Sequence, residues 1–195
     1  MSPLNRKELL RRVLKEALAT GRYMALGSMD GVLASMGAVL SVVARGGSAQ
    51  DAASAGLSVA VALALSNGFG SYLGEKIEEL REIRELERQM IMKRGGLEHT
   101  RVHDLARIRI YTSVVSHGGS SFMASMVPIL PVLIIKDPKW SVIACTCVSG
   151  IFLFLLGVYL GRLCKERKKD LILRGCETAA IGGLVGLVTH FMGAH

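Results

Sequence analysis

The sequence predicts an all-α, polytopic membrane protein: five transmembrane helices with a short cytoplasmic helical insert between spans two and three. Three observations carry this. Uncharged runs of about 20 residues recur along the chain, each long enough at ~1.5 Å per residue to cross a ~30 Å hydrocarbon core. The 24 Lys and Arg residues lie in blocks between those runs. Almost no amphipathic helix is left over to shield five apolar helices from water.

The runs are 23–44, 52–74, 113–135, 140–161 and 175–194, and their acids and histidines are limited to Asp30, His117, Glu177 and His190. Orientation follows from the basic residues, which favour the cytoplasmic side. Of the 24, all but Arg45, Lys136 and Lys139 fall in segments 1–22, 75–117 and 162–174. That pattern places the N-terminus and every basic loop in the cytoplasm and, after five crossings, the C-terminus outside. Basic blocks without interleaved aromatics exclude a nucleic-acid interface. No cleavable signal peptide is recognisable, since a charged segment precedes a first run too long for an h-region. A prokaryotic cell membrane is the expected location.

Four regions follow: 1–22, 23–74 with spans one and two, an acidic insert over 75–112, and 113–195 with spans three to five. Residues 5–20 read as an amphipathic helix, with Leu9, Leu10, Val13, Leu14 and Leu18 on one arc and a basic side suited to anionic head groups. The tight turn Arg45-Gly46-Gly47-Ser48 makes spans one and two antiparallel neighbours. Residues 75–92 lack Gly and Pro and should extend span two as a helix into the cytoplasm. Gly95-Gly96 should break it, with a second helix running from about Glu98 and leading back into the membrane near Arg109. Pro128 and Pro131 should kink or end span three at its outer side. Small residues four apart, at Gly27/Gly31, Gly70/Gly74, Gly157/Gly161 and Gly182/Gly186, suit close approach of helix backbones.

Asp30 is the residue with the most chemical content. A carboxylate facing lipid in mid-span costs several kcal/mol, so it must face another helix, a partner subunit or water. It reads either as a protonated acid bonded between helices or as a cation or proton site. Met29 and Met36 supply thioethers able to accompany a borderline metal, although Met in a span is commonly packing. Asn67 and Ser71 share a face of span two, as helix glue or as pathway lining. Glu75, Glu78, Glu79, Glu82 and Glu85 fall within a ~120° arc of the extended helix. Arg81, Arg84 and Arg88 lie beside them, so the arc reads either as a salt-bridged solvated face or as oxygen ligands for a hard divalent cation. His99 and His103, four apart, could add nitrogen ligands. Cys145 and Cys147 point to different faces of one helix, and the four cysteines read as apolar fillers. No nucleophile–base pair, phosphate-binding glycine loop or CxxC motif is present, so enzyme chemistry is not expected.

In order and spacing these motifs resemble the vacuolar iron transporter family, over about residues 20–194. Asp30-Gly31-Val32-Leu33 is similar to the family's first-span motif, and Ser66-Asn67-Gly68-Phe69-Gly70-Ser71-Tyr72-Leu73 to its second, followed by the acidic helix. Pro128-Ile129-Leu130-Pro131 resembles its third-span ending, and the stretch from Gly182 to Gly193 its last span. The resemblance implies a homodimer with the path between subunits, carrying Fe2+ or Mn2+ out of the cytoplasm against protons with no permanently bound cofactor. It makes Asp30 the membrane ligand and the five glutamates the cytoplasmic metal-gathering site. The chain departs from the family in two places. Asn67 stands where Met is common, and the insert is short, with Met90 and Met92 as substitutes for later family methionines. The competing expectation is a non-transporting membrane scaffold or sensor whose acidic helix binds cations.

Overall fold

The computed structural model describes the backbone of residues 6–97, 100–135 and 137–193. Side chains are described for these except at 6–20, 101, 102, 104, 138, 190, 192 and 193. The chain forms α1 (Arg6–Ala44), α2 (Ala49–Gln89), α3 (Arg101–Ile134), α4 (Pro138–Leu163) and α5 (Lys168–Gly193), with no strand among the described residues. All five helices are long and apolar enough to cross a membrane, the candidate span of α1 being Gly21–Ala44. The protein is a multi-pass membrane protein.

The helix ends follow local chemistry. The expected amphipathic helix and first span are one unbroken helix of 39 residues. The side chains that would show its amphipathic face lie outside the described residues. Ser48 and Asp51 form a reciprocal capping box that starts α2 directly after the Gly46 turn at φ 78°. Asp137 caps α4, with Pro138 in its first turn, where a missing N–H costs nothing. The basic connection between α4 and α5 is shorter than its 162–174 charge block, because α5 already begins at Lys168.

α2 has 41 residues, about 60 Å of helix, so its second half projects well past a ~30 Å core. It ends at Gln89, ahead of the Gly95-Gly96 pair. The chain turns through Ile91 in the left-handed region, and Gly95, also at positive φ, completes the reversal. Buried Glu87 holds this turn by accepting the backbone N–H groups of Gly95 and Leu97 at 2.9 and 3.2 Å. The second helix expected after the glycines is the start of α3, which begins at Arg101 and runs unbroken into the membrane. The insert is therefore a hairpin of two extended spans. α3 also continues through Pro128 and Pro131 to Ile134. Ile129 and Val132 are buried there against Met36, Val39 and Ala52, and that packing keeps the proline segment helical.

α3 is the central helix, packed against α1, α2 and α4, while α5 lies mainly on α4. The closest approach is between α1 and α3. A Cβ on Gly27 would strike the backbone of His117, and one on Gly31 the backbone of Ser121. Gly157 likewise meets the Arg174 backbone, whereas Gly182 and Gly186 face only side chains of Leu153, Leu33 and Leu40. Among the described residues, a Cβ on Gly70 or Gly74 would meet no neighbouring atom within 4 Å, so that pair faces outward. Gly31→Ala should lower the melting temperature of the detergent-solubilised protein by about 5 °C through overpacking. Gly183→Ala, with open space around it, should leave the midpoint unchanged in the same thermal scan.

Candidate metal site within the membrane

Asp30 lies about 14 Å along α1 from Gly21, well inside the span. It is exposed on the side of the chain, and Asn67 Nδ2 donates to its Oδ2 at 3.4 Å. The same amide donates to Ser121 Oγ at 2.8 Å, and Ser121 Oγ donates to the His117 carbonyl at 2.8 Å. Ser125 Oγ reaches the carbonyls of Gly31 and Ser121 at 3.1 and 2.7 Å. One carboxylate, one amide and two hydroxyls thus tie α1, α2 and α3 together, in a region where unsatisfied polar groups are costly.

A second tier lies toward the basic side. Ser71 Oγ and His117 Nδ1 are 2.7 Å apart, and the His117 ring stacks obliquely on Tyr23 with centroids at 5.6 Å. Tyr23 OH donates to Glu75, which is half-buried. Asn67, Ser71 and Glu75 are four apart on α2 and make one polar stripe, about 12 Å from end to end. Among the described residues, His117 Nε2 is buried without a hydrogen-bond partner.

The stripe continues to Glu79, which is 7% exposed and pairs with Arg109 at 3.0 Å. Arg109 also lies 3.9 Å from Glu82. Glu85 accepts from Arg88 and Gln89 at 3.3 and 3.2 Å. Glu78, Glu82 and Glu85 are exposed. The glutamate arc is therefore split between a buried ion pair, a tyrosine hydrogen bond and a solvated face. Among the described residues, no three His, Cys, Asp or Glu side chains converge to hold a metal.

The thioethers do not join Asp30. Met36 is 1% exposed in the apolar cluster with Val39, Ile129 and Val132, and Met29 packs against Val32, Ala124 and Leu153. Six residues along a helix is a rotation of about 240°, which turns Met36 away from the Asp30 side. His103 lines a cavity between α2 and α3, and His99 lies outside the described residues. Cys145 is buried and Cys147 exposed, and all four cysteines are free thiols.

Sequence reasoning missed His117, Ser121, Tyr23, Arg109 and Glu87. His117 carried a signal as the lone histidine of its run. Glu87 carried one as well, sharing the inward stripe of Glu79 and Ile83 at four-residue spacing.

The bundle is multi-pass and holds a carboxylate, an amide and an imidazole within its spans. The model of the VIT family matches residues 89–194, more than half of the chain, and the chain belongs to that family. The matched part covers α3 to α5; Asp30, Met36, Asn67, Glu75, Glu78, Glu79, Glu82 and Glu85 all precede it. The chain is also 29% identical over 173 residues to uncharacterized protein MJ0645 of Methanocaldococcus jannaschii, covering 88% of this chain and 86% of that one. Family membership points to transport of metal ions across a membrane.

The split of the glutamates has a measurable consequence. Glu79→Ala removes the nearer carboxylate partner of Arg109, and Glu87→Ala removes the acceptor of the part-buried Gly95 and buried Leu97 N–H groups, each costing about 1–3 kcal/mol. Both should lower the melting temperature clearly, while Glu78→Ala and Glu85→Ala should leave it unchanged.

Proposed function

We propose that this protein exports Fe2+ or Mn2+ from the cytoplasm in exchange for protons, working as a homodimer. The observation that carries the reading is Asp30: an acid deep in a span, on the outer flank of its own chain, with one long hydrogen bond from Asn67. Such a carboxylate cannot rest against lipid without a cost of several kcal/mol. A second copy packed on α1 and α2 would enclose it. Exposed Leu26, one turn from Asp30, and the outward-facing Gly70 and Gly74 suit that contact.

The basic side is cytoplasmic in this reading, with the C-terminus outside, in a prokaryotic cell membrane. The solvated acids Glu78, Glu82 and Glu85 raise the local cation concentration at the entrance. Glu75, Ser71, His117 and Asn67 give an ion polar partners between the entrance and Asp30. Asp30 exchanges a metal ion for a proton, and in the proton-bound state it returns as a neutral acid, which low dielectric favours. The ion is cargo, and the protein needs no resident cofactor. Asn67 supplies an oxygen where a thioether would favour softer ions, which makes Mn2+ as good a cargo as Fe2+.

The scaffold or sensor reading draws on the acids already engaged by Arg109 and Arg88. Metal binding without flux under any metal or proton gradient would favour it.

In proteoliposomes, Asp30→Asn should abolish metal-driven proton movement while the protein remains monodisperse and folded. Wild-type rates in that variant would remove Asp30 from the mechanism. Asn67→Met should shift competition in favour of Fe2+ over Mn2+, read as the ratio of the two fluxes from an equimolar mixture.

A further inference from the structure

A cavity of about 230 Å³ opens between α2 and α3 on the basic side, apart from the Asp30 cluster. Its polar lining comes from Tyr72, Lys76 and Glu79 on α2 and His103, Arg107 and Tyr111 on α3. Lys76 Nζ donates to Tyr72 OH at 3.1 Å and lies over that ring. Glu79 is the one acid in the lining, and Arg109 already neutralises it. Among the described residues, neither Lys76 nor Arg107 has a carboxylate within ion-pair distance. The cavity therefore presents two uncompensated cations, two phenol hydroxyls and an imidazole.

Its position selects the source of the complementary anion. The uncharged run of α2 ends at Gly74, two residues before Lys76, and that of α3 begins at Ser113, two residues after Tyr111. The cavity thus straddles the level where hydrocarbon gives way to head groups, and its membrane side is lined by Ile110 and exposed Tyr111. Basic pockets between helices at this depth take anionic head groups, while the apolar rim accepts the first methylenes of an acyl chain.

We propose that the Lys76–Arg107 cavity binds the phosphate head group of an anionic phospholipid. The lipid would clamp α2 to α3 at the base of the hairpin. The site depends only on the membrane location of the bundle, so it stands or falls separately from metal export.

Native mass spectrometry of the protein in mixed micelles of phosphatidylglycerol and phosphatidylcholine tests this. Wild type should retain phosphatidylglycerol in preference to phosphatidylcholine. Lys76→Gln/Arg107→Gln should weaken that retention about thirtyfold, the effect of two surface cations. Lys76→Arg/Arg107→Lys should keep it, as should Arg84→Gln/Arg88→Gln, which removes the same charge farther along α2. Equal retention of the two lipids, or undiminished phosphatidylglycerol on the double Gln variant, would overturn the site. So would equal loss in the Arg84/Arg88 variant, or displacement of the lipid by millimolar inorganic phosphate.

Discussion

The structure depends on the backbone-to-backbone contact of α1 with α3 at Gly27 and Gly31. In hydrocarbon, helices gain little from burying apolar surface against one another, so association rests on close packing and hydrogen bonds. With no Cβ at either glycine, α3 approaches until Ser125 can donate to the Gly31 carbonyl across the interface. That proximity brings His117 and Ser121 beside Tyr23 and Asp30. The polar cluster is a product of the packing, and its hydrogen bonds in turn hold the packing in register.

A second constraint shapes the hairpin outside the span. Beyond the hydrocarbon core, α2 and α3 stay together through a stripe that alternates charge and apolar contact: Glu79 to Arg109, Ile83 against Leu97 and Ala106, and Glu87 to the turn. Glu79 and Glu87 on this helix are thereby structural, while Glu78, Glu82 and Glu85 stay exposed. The division explains how one helix can serve as a salt-bridged strut and still present exposed acid, which the proposed export draws on.

Much of the fold was legible in the sequence because hydrocarbon imposes few solutions. Charge-free runs and basic blocks sufficed for five spans, and helix formers without Gly or Pro sufficed for the projection of α2. Helix ends were harder. The turn after Gln89 is fixed by Glu87 reaching across to Gly95 and Leu97, a contact that helix propensity does not encode. The prolines of α3 read as breakers until their burial against Met36 and Val39 is known. Within the site, Asp30 and Asn67 were readable as polar residues in apolar runs, and the structure joins them. Met36 was misplaced because a thioether near an acid in sequence says nothing of rotation about the helix. His117 and Arg109 matter through partners more than 25 residues distant, which periodicity within a single helix cannot supply.

The proposed export requires Asp30 to be an ionisable group that aqueous ions reach inside the membrane. Its reaction with a hydrophobic carbodiimide, mapped by mass spectrometry with and without Mn2+, examines that claim directly. Modification of Asp30 that Mn2+ suppresses is the result this account predicts. An Asp30 that stays unreactive, or that reacts equally whether or not metal is present, would contradict it.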